Sequence, residues 1–406
     1  MSVYIILTFL FIDPELSKYT GGQRRYAEMV RCLERKGNTV HLIGYSVIPG
    51  VPIKGHFFRI PVLRLSKKAM PNAIVNCVKV LWKIIFNMKI LKRLKIDLIV
   101  VNSVANALPA LLTKMFLHVK VVTLIFSDPI EYREIQVREN GVRLFSGLYV
   151  KNKVAISIYL SLFRFFEKVV FKRSDLILVQ SNAYKQLFSD RYGKDSVKIE
   201  GIFANINPYW IEKAFKNSNK SSSLKKICFV GNLTLRKGII DLTRAIVILS
   251  AEFPEMTFHV VGDGIQKDEL VNILQEAGVL NRARLYGWII NPMQVMAASD
   301  ILVVPSHSDS FPEVIGESLF VGTPVLGARV GGIPEQLKYE KLLFNPGDVD
   351  EIAGRLRELL LSNDMYQRIK FLCGERARAL TFNWGEAFQK VIDRLFLSDR
   401  HLLSGE

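Results

Sequence analysis

Cysteine is scarce in this 406-residue chain: the four residues Cys32, Cys77, Cys228 and Cys373 are scattered, with no C-x-x-C pair. That argues against a disulfide framework or a zinc site and fits a reducing compartment. Long apolar runs are also missing. A spanning helix needs roughly 18 uncharged residues, and the nearest stretch, Ala155 to Phe163, is nine long and ended by Arg164. The opening MSVYIILTFLFIDP lacks a basic leader and a small-residue cleavage site, so it reads as a first strand rather than a signal peptide. No helix-turn-helix, RNP aromatic motif or zinc-finger spacing occurs, and nucleic acid is not expected as a partner.

What is present is globular: 49% of residues are apolar and 23% charged. At about 150 residues per domain, the length suggests two or three domains. Net charge is +17, and the excess lies in one half. Residues 1–210 hold 32 Lys+Arg against 14 Asp+Glu, whereas the remainder hold 23 against 24. Such asymmetry points to an anionic partner for the first half alone, and a membrane surface fits better than nucleic acid.

The first half alternates short apolar runs with helical spacing. YIILTFLF, TVHLIGY, FFRIPVL, DLIVVNS, KVVTLIF, DLILVQS and SVKIEGI read as strands, and Gln23 to Lys36, after Gly21-Gly22, reads as a helix. The serine-rich stretch KAFKNSNKSSSLKK, Lys213 to Lys226, reads as a linker. A second series follows, with KKICFVGN, TFHVVGDG, RARLYGW, DILVVPS, TPVLGA and KLLFN as strands between helices. Alternation of this kind implies an α/β chain with mostly parallel sheets. It places one domain over 1–210, a second over 211–385 and a closing helix over 386–406. Ligands of such folds bind at the carboxyl ends of the strands.

Three pieces of the second series carry chemistry there. FVGNLTLRKG ends a strand at Gly231 and brings Arg236 and Lys237 to a helix opening, where unpaired N–H groups and cations attract phosphate. VVGDG, with Gly262 and Gly264, lets a ligand approach backbone but lacks the third glycine of a dinucleotide fingerprint, which disfavours hydride transfer. SDSFPEVIGE sets Asp309 and Glu317 eight apart around Phe311-Pro312, which opens a helix. A carboxylate suits neighbouring sugar hydroxyls because it accepts several hydrogen bonds at once.

Taken together, F-V-G-N-L…R-K-G, V-V-G-D-G, L-Y-G-W, A-S-D-I-L-V-V-P-S, D-S-F-P-E-V-I-G-E, G-T-P-V and G-G-I-P-E resemble, in order and spacing, the retaining nucleotide-sugar glycosyltransferases of family 4. The resemblance covers residues 226–345 strongly and the rest more loosely. It implies the GT-B fold, two Rossmann-like domains facing across a cleft, with a terminal helix, TFNWGEAFQKVIDRLF, returning to the first. It also implies roles. Lys237 would neutralise the donor diphosphate, Asp309 would contact the donor sugar and Glu317 would hold the ribose. Gly262, Gly264 and the Tyr286-Gly287-Trp288 turn would shape the nucleotide pocket, and Val314 and Ile315 would offer backbone N–H groups to phosphate. Gly21 and Gly22 match a glycine pair that approaches the donor phosphates from the first domain.

Three positions depart from the family pattern: Asp309 stands for Glu, Asn232 for an arginine after the strand, and Ser127 for a histidine before Asp128. Arg236 is the candidate substitute for the missing cation. None of the six histidines earns a role by position, and His259, inside a strand, reads as a satisfied core or edge residue. No D-x-D motif stands out, so the resemblance implies metal-independent transfer with no cofactor beyond the nucleotide-sugar itself. The acidic-S-F-P form favours a UDP-sugar over a GDP-sugar donor. The implied acceptor is a saccharide or lipid-linked saccharide of cell-surface polysaccharide or lipopolysaccharide assembly. A nucleotide-sugar epimerase or hydrolase, and a non-catalytic partner subunit, remain as alternatives.

Two stretches take up the positive charge. AIVNCVKVLWKIIFNMKILKRLK sets Lys79 and Lys83 against Val78, Leu81, Trp82, Ile85 and Met88. VKNKVAISIYLSLFRFFEKVVFKR sets Arg164, Lys168, Lys172 and Arg173 against Phe163, Phe166, Val169 and Val170. Basic amphipathic helices suit an anionic membrane surface. The expected location is therefore cytoplasmic, peripheral on the inner face of the cytoplasmic membrane.

Overall fold

The computed structural model describes residues 6–12, 21–44, 55–60, 73–131, 134–135, 142–143, 149–150, 153–193, 198–202 and 225–403. The chain divides into two compact units, Met1–Phe203 with Trp384–Glu406, and Ala204–Asn383. Nearly all of the expected linker lies outside the described residues, which resume at Lys225.

In the first unit the strands are β1 (Thr8–Ile12), β2 (Thr39–Gly44), β3 (Phe57–Arg59), β4 (Leu98–Asn102) and β5 (Lys120–Ile125). After a small antiparallel hairpin, β6 (Val142–Arg143) with β7 (Tyr149–Val150), come β8 (Leu176–Val179) and β9 (Ile199–Gly201). Seven of them form a parallel sheet in the order β3-β2-β1-β4-β5-β8-β9. Its central strands are near-continuous apolar runs because both faces are covered. The helices are α1 (Gly21–Arg35), α2 (Ala73–Arg93), α3 (Val104–Leu117), α4 (Lys153–Arg173) and α5 (Asn182–Tyr192). Val80 and Ile84 of α2, Ala107 of α3, Val170 of α4 and Phe188 of α5 share one core with Leu10, Ile99, Val121 and Ile177 of the sheet. α1 starts at Gly21, two residues before the expected helix, so the glycine pair forms its first turn.

The second unit is built the same way. Its elements are β10 (Lys226–Val230), α6 (Ile239–Ser250), β11 (Thr257–Val261), α7 (Lys267–Glu276), β12 (Ala283–Gly287), α8 (Met293–Ala297) and β13 (Ile301–Val304). They continue through α9 (Glu313–Phe320), β14 (Val325–Ala328), α10 (Ile333–Leu337), β15 (Leu343–Phe344), α11 (Val349–Leu361) and α12 (Asn363–Leu380). The six strands are parallel, in the order β12-β11-β10-β13-β14-β15. Strand order reverses between β10 and β13, and a ligand crevice opens at such a switch point.

The last helix, α13 (Trp384–Leu403), belongs to the first unit and lies against α1. Trp384 is fully buried, and its backbone N–H donates to Glu28 Oε1 at 3.2 Å. Asn38 Nδ2 donates to Gln389 Oε1 at 3.1 Å. A Cβ on Gly385 would stand 2.4 Å from that of Cys32, so the two helices meet backbone to side chain.

Candidate functional site

Both loops at the second sheet's switch point carry residues singled out above. After β10 the chain passes Gly231 and exposed Asn232, makes a tight turn over Leu235–Lys237, and enters α6 at Gly238. After β13 it runs from Pro305 to Asp309. Lys237 Nζ and Asp309 Oδ2 form an ion pair between side chains only 18% and 10% exposed. Arg236 Nη1 donates to the Ser308 carbonyl at 2.9 Å and stands 4.0 Å from Asp309 Oδ2. Burial lowers the Lys237 pKa; Asp309 opposes the shift, Arg236 adds to it, and Glu313 opposes it from α9. The crevice thus holds two cations clustered on one shielded carboxylate.

A histidine–aspartate pair clamps the same region together. His307 Nε2 lies 2.5 Å from Asp241 Oδ2 in the first turn of α6, and the His307 N–H donates to the Arg236 carbonyl at 2.9 Å. The bond to Asp241 raises the His307 pKa against the effect of burial. Sequence reading gave this histidine no role because its partner is 66 residues away.

The predicted glycines form a backbone floor beside the pair. Gly231 N–H donates to the Val261 carbonyl at 3.0 Å, Gly262 N–H to that of Gly287 at 2.8 Å, and Leu233 N–H to that of Asp263 at 3.0 Å. A Cβ on Gly262 would fall 1.8 Å from the Gly231 carbonyl oxygen, and one on Gly264 2.3 Å from that of Leu233. Only glycine lets these loops close so tightly. At the rim, Trp288 is 63% exposed, and the Tyr286 hydroxyl lies 3.0 Å from Nδ1 of the buried His259. His259 also meets Thr257 Oγ1 at 3.2 Å, the environment of a satisfied strand histidine.

The remaining candidates are distributed. Phe311 and Ile315 are buried in the core, and the Ile315 N–H turns to the Pro312 carbonyl at 3.3 Å. Val314 is half-buried in the first turn of α9, and Glu317 is buried on the same helix. Gly21 and Gly22 lie in the first unit, at the start of α1. That sheet reverses its strand order between β1 and β4, and there Ser103 holds φ 78°, ψ 155° at the end of β4. A non-glycine residue so placed costs about 1–3 kcal/mol, a strain that clusters at working sites.

Beyond Ser127, a second ionic cluster closes on Asp128. Arg191 bridges Asp128 Oδ2 at 2.5 Å and Glu167 Oε1 at 3.1 Å, and the Tyr192 hydroxyl donates to the same Glu167 oxygen. The cluster borders a pocket of about 460 Å³ that Arg164 and Lys168 also line. Burial pushes the Glu167 pKa up to about 7, with Asp128 helping and Tyr192 and Arg191 opposing. A raised carboxyl pKa means the folded state keeps its proton longer, so stability falls as pH rises from the unfolded value toward about 7. We therefore expect Glu167→Gln to gain on the wild type between pH 4.5 and 7.5, by up to about 3 kcal/mol, in urea melts at matched pH. A constant offset across that range would mean Glu167 titrates normally.

The two doubly wound units have the architecture of GT-B glycosyltransferases, and comparison with known proteins gives the same class. Residues 19–203 match the family model "Glycosyltransferase Family 4" and residues 211–371 the model "Glycosyl transferases group 1". The chain belongs to the group 1, family 4 glycosyltransferases. It is similar to the sulfoquinovosyl transferase SQD2 of Arabidopsis thaliana, 28% identical over 53% of this chain and 41% of that protein. It is also similar to the lipopolysaccharide core biosynthesis glycosyltransferase LpsE of Rhizobium meliloti, 24% identical over 49% of this chain and 58% of that one. These matches span about half the length of each relative. In fold it resembles Anabaena HepE solved with UDP and glucose, with TM-score 0.69 and 16% identity over 95% of this chain and 99% of HepE. No helix among the described residues is long and apolar enough to cross a membrane.

Proposed function

We propose that this chain is a retaining glycosyltransferase that moves a sugar from a nucleoside-diphosphate donor, UDP-linked rather than GDP-linked, to a saccharide or lipid-linked acceptor in cell-surface polysaccharide or lipopolysaccharide assembly. The observation that carries the reading is the Lys237–Asp309 pair, flanked by Arg236, at the strand-order reversal of the second sheet. Lys237 and Arg236 take the diphosphate, the glycine floor admits it to backbone contact, and the amino end of α9 adds N–H groups. Asp309 accepts hydrogen bonds from the sugar and Glu317 from the ribose.

In transfer, the bond from the anomeric carbon to the diphosphate oxygen breaks while the acceptor oxygen bonds to that carbon on the same face. The acceptor proton passes to the departing phosphate, so no histidine base is required. The growing negative charge is met by Lys237, Arg236 and helix amino ends, without a metal. The acceptor is held by the basic first unit, and the protein works peripherally on the inner face of the cytoplasmic membrane. The UDP complex of HepE supports the choice of base.

Calorimetric titration with UDP, GDP and ADP, without metal and at fixed salt, tests the donor site. UDP is expected to bind at least about tenfold more tightly than the others, a difference of about 1.4 kcal/mol. Binding of none would defeat the donor assignment and favour a non-catalytic partner subunit.

A further inference from the structure

The helices α2, α3 and α4 lie side by side, α3 touching both neighbours, and their inner sides share one core against the first sheet. Their outer sides should then be polar. They are not. Of the 24 large apolar residues exposed among the described residues, 13 stand on these three helices. Trp82 and Phe86 on α2, Met115 and Phe116 on α3, and Phe165 and Phe166 on α4 are between 41% and 70% exposed. On α4, Val154, Ile158, Leu162 and Phe166 recur every four residues as one outward stripe. Single exposed apolar residues need no explanation, but a continuous patch larger than a few hundred Å² marks an interaction surface.

The charge on the same helices identifies the partner. They carry eleven cations and a single acid of their own, Glu167, which is fully buried. Among the cations, Lys114 and Arg164 bridge acids of neighbouring segments, Asp175 and Glu134. Each also ends in cations: Lys92 and Arg93, Lys114, and Lys172 and Arg173. A second copy of this chain would set like charge against like. Nucleic acid would meet the cations but leave outward residues such as Ile85, Met115 and Leu162 without a counterpart. An anionic bilayer answers both features, with acyl chains for the apolar side chains and headgroup phosphates for the cations.

We infer that the outer side of α2, α3 and α4 is one docking face for an anionic lipid bilayer. The inference rests on the membrane-proximal reading above and supplies its surface, including α3, which no charge pattern in the sequence marks.

The test is sedimentation of the full chain with vesicles of phosphatidylcholine alone, or of phosphatidylcholine mixed with phosphatidylglycerol. Binding to the anionic vesicles is expected to be at least about tenfold stronger and to weaken with salt. Replacing exposed Lys89 and Lys92 by Gln should cost about fivefold each. Phe86→Ser with Phe116→Ser should cost about tenfold or more while leaving the melting temperature and UDP titration unchanged. Trp82 emission should shift to the blue on anionic vesicles and not on neutral ones, and Trp82→Phe should remove the shift.

Equal partition to both vesicles, binding to neither, or full binding by the serine variant would overturn the docking face. So would self-association, or retention on DNA, that the serine variant abolishes while vesicle binding persists. UDP titration of the same samples separates the two proposals. Nucleotide binding without vesicle binding removes only the docking face, and vesicle binding without nucleotide binding removes only the donor reading.

Discussion

Lys237→Ala is expected to lower turnover by about 10²–10³, the cost of removing one preorganised group that meets developing charge. The substitution also strands Asp309, whose side chain is 10% exposed and whose ion-pair partner is Lys237. Leaving one member of a buried pair costs about 3–5 kcal/mol of stability, so lost activity in the single variant has two possible origins. The double variant Lys237→Ala/Asp309→Asn separates them, because the neutral amide no longer needs a counter-ion. Its melting temperature should recover most of the loss while transfer stays low. Turnover in Lys237→Ala equal to wild type, measured as sugar transferred from a UDP-sugar, would remove the diphosphate role. A single variant that melts with the wild type would instead show that Arg236, 4.0 Å from the same carboxylate, suffices to hold Asp309.

Gly238→Ala should be among the most damaging small substitutions in the second unit. Gly238 has φ +65°, and an added Cβ would lie 1.9 Å from the carbonyl oxygen of Pro305 and 2.8 Å from its carbonyl carbon. Both obstructing atoms are backbone, so no side chain can swing aside. The left-handed conformation alone costs an L-residue about 1–2 kcal/mol, and separating the two loops adds to it. We expect more than about 4 kcal/mol in total, in the exceptional range for a point substitution. Because Lys237 precedes this glycine and Asp309 follows Pro305, the same displacement pulls the ion pair apart. Gly354→Ala is the control: it is exposed inside α11 and nothing lies within 4 Å of its added methyl. There alanine should stabilise by about 0.5–1 kcal/mol. Thermal melts of both variants check the pair, and similar melting temperatures would contradict the close loop contact.

The sheets were legible because buried parallel strands are apolar on both faces. ILVV at β13 and LILV at β8 stand out as unbroken runs. The candidate acid and lysine were also legible, as members of the motifs after β10 and after β13. Their contact was not, since 72 residues separate them and no local period encodes it. Nor was the inward side of α2. The sequence set Val78, Trp82 and Ile85 beside the cations, and all three are exposed; Val80, Ile84 and Leu91, which no pattern singled out, make the core. A helix whose apolar residues are spread around its circumference among the cations gives no clear 3.6-residue signal from which an inward side can be chosen. The same ambiguity hid α3, whose Leu112, Met115 and Phe116 face water beside a single lysine.

The chain leaves its first unit at Phe203 and re-enters it at Trp384. The unit written first is therefore completed last, since Trp384 and Gln389 must reach Glu28 and Asn38 across more than 350 residues. During synthesis the second unit, Ala204–Asn383, is contiguous and closes while the first still lacks α13. A nascent chain stopped short of Trp384 would carry a finished second unit and a first unit whose α1 is uncovered, where Cys32 and Glu28 await their partners. Translation order thus makes the second unit the natural first folder and leaves the first unit dependent on Trp384–Leu403.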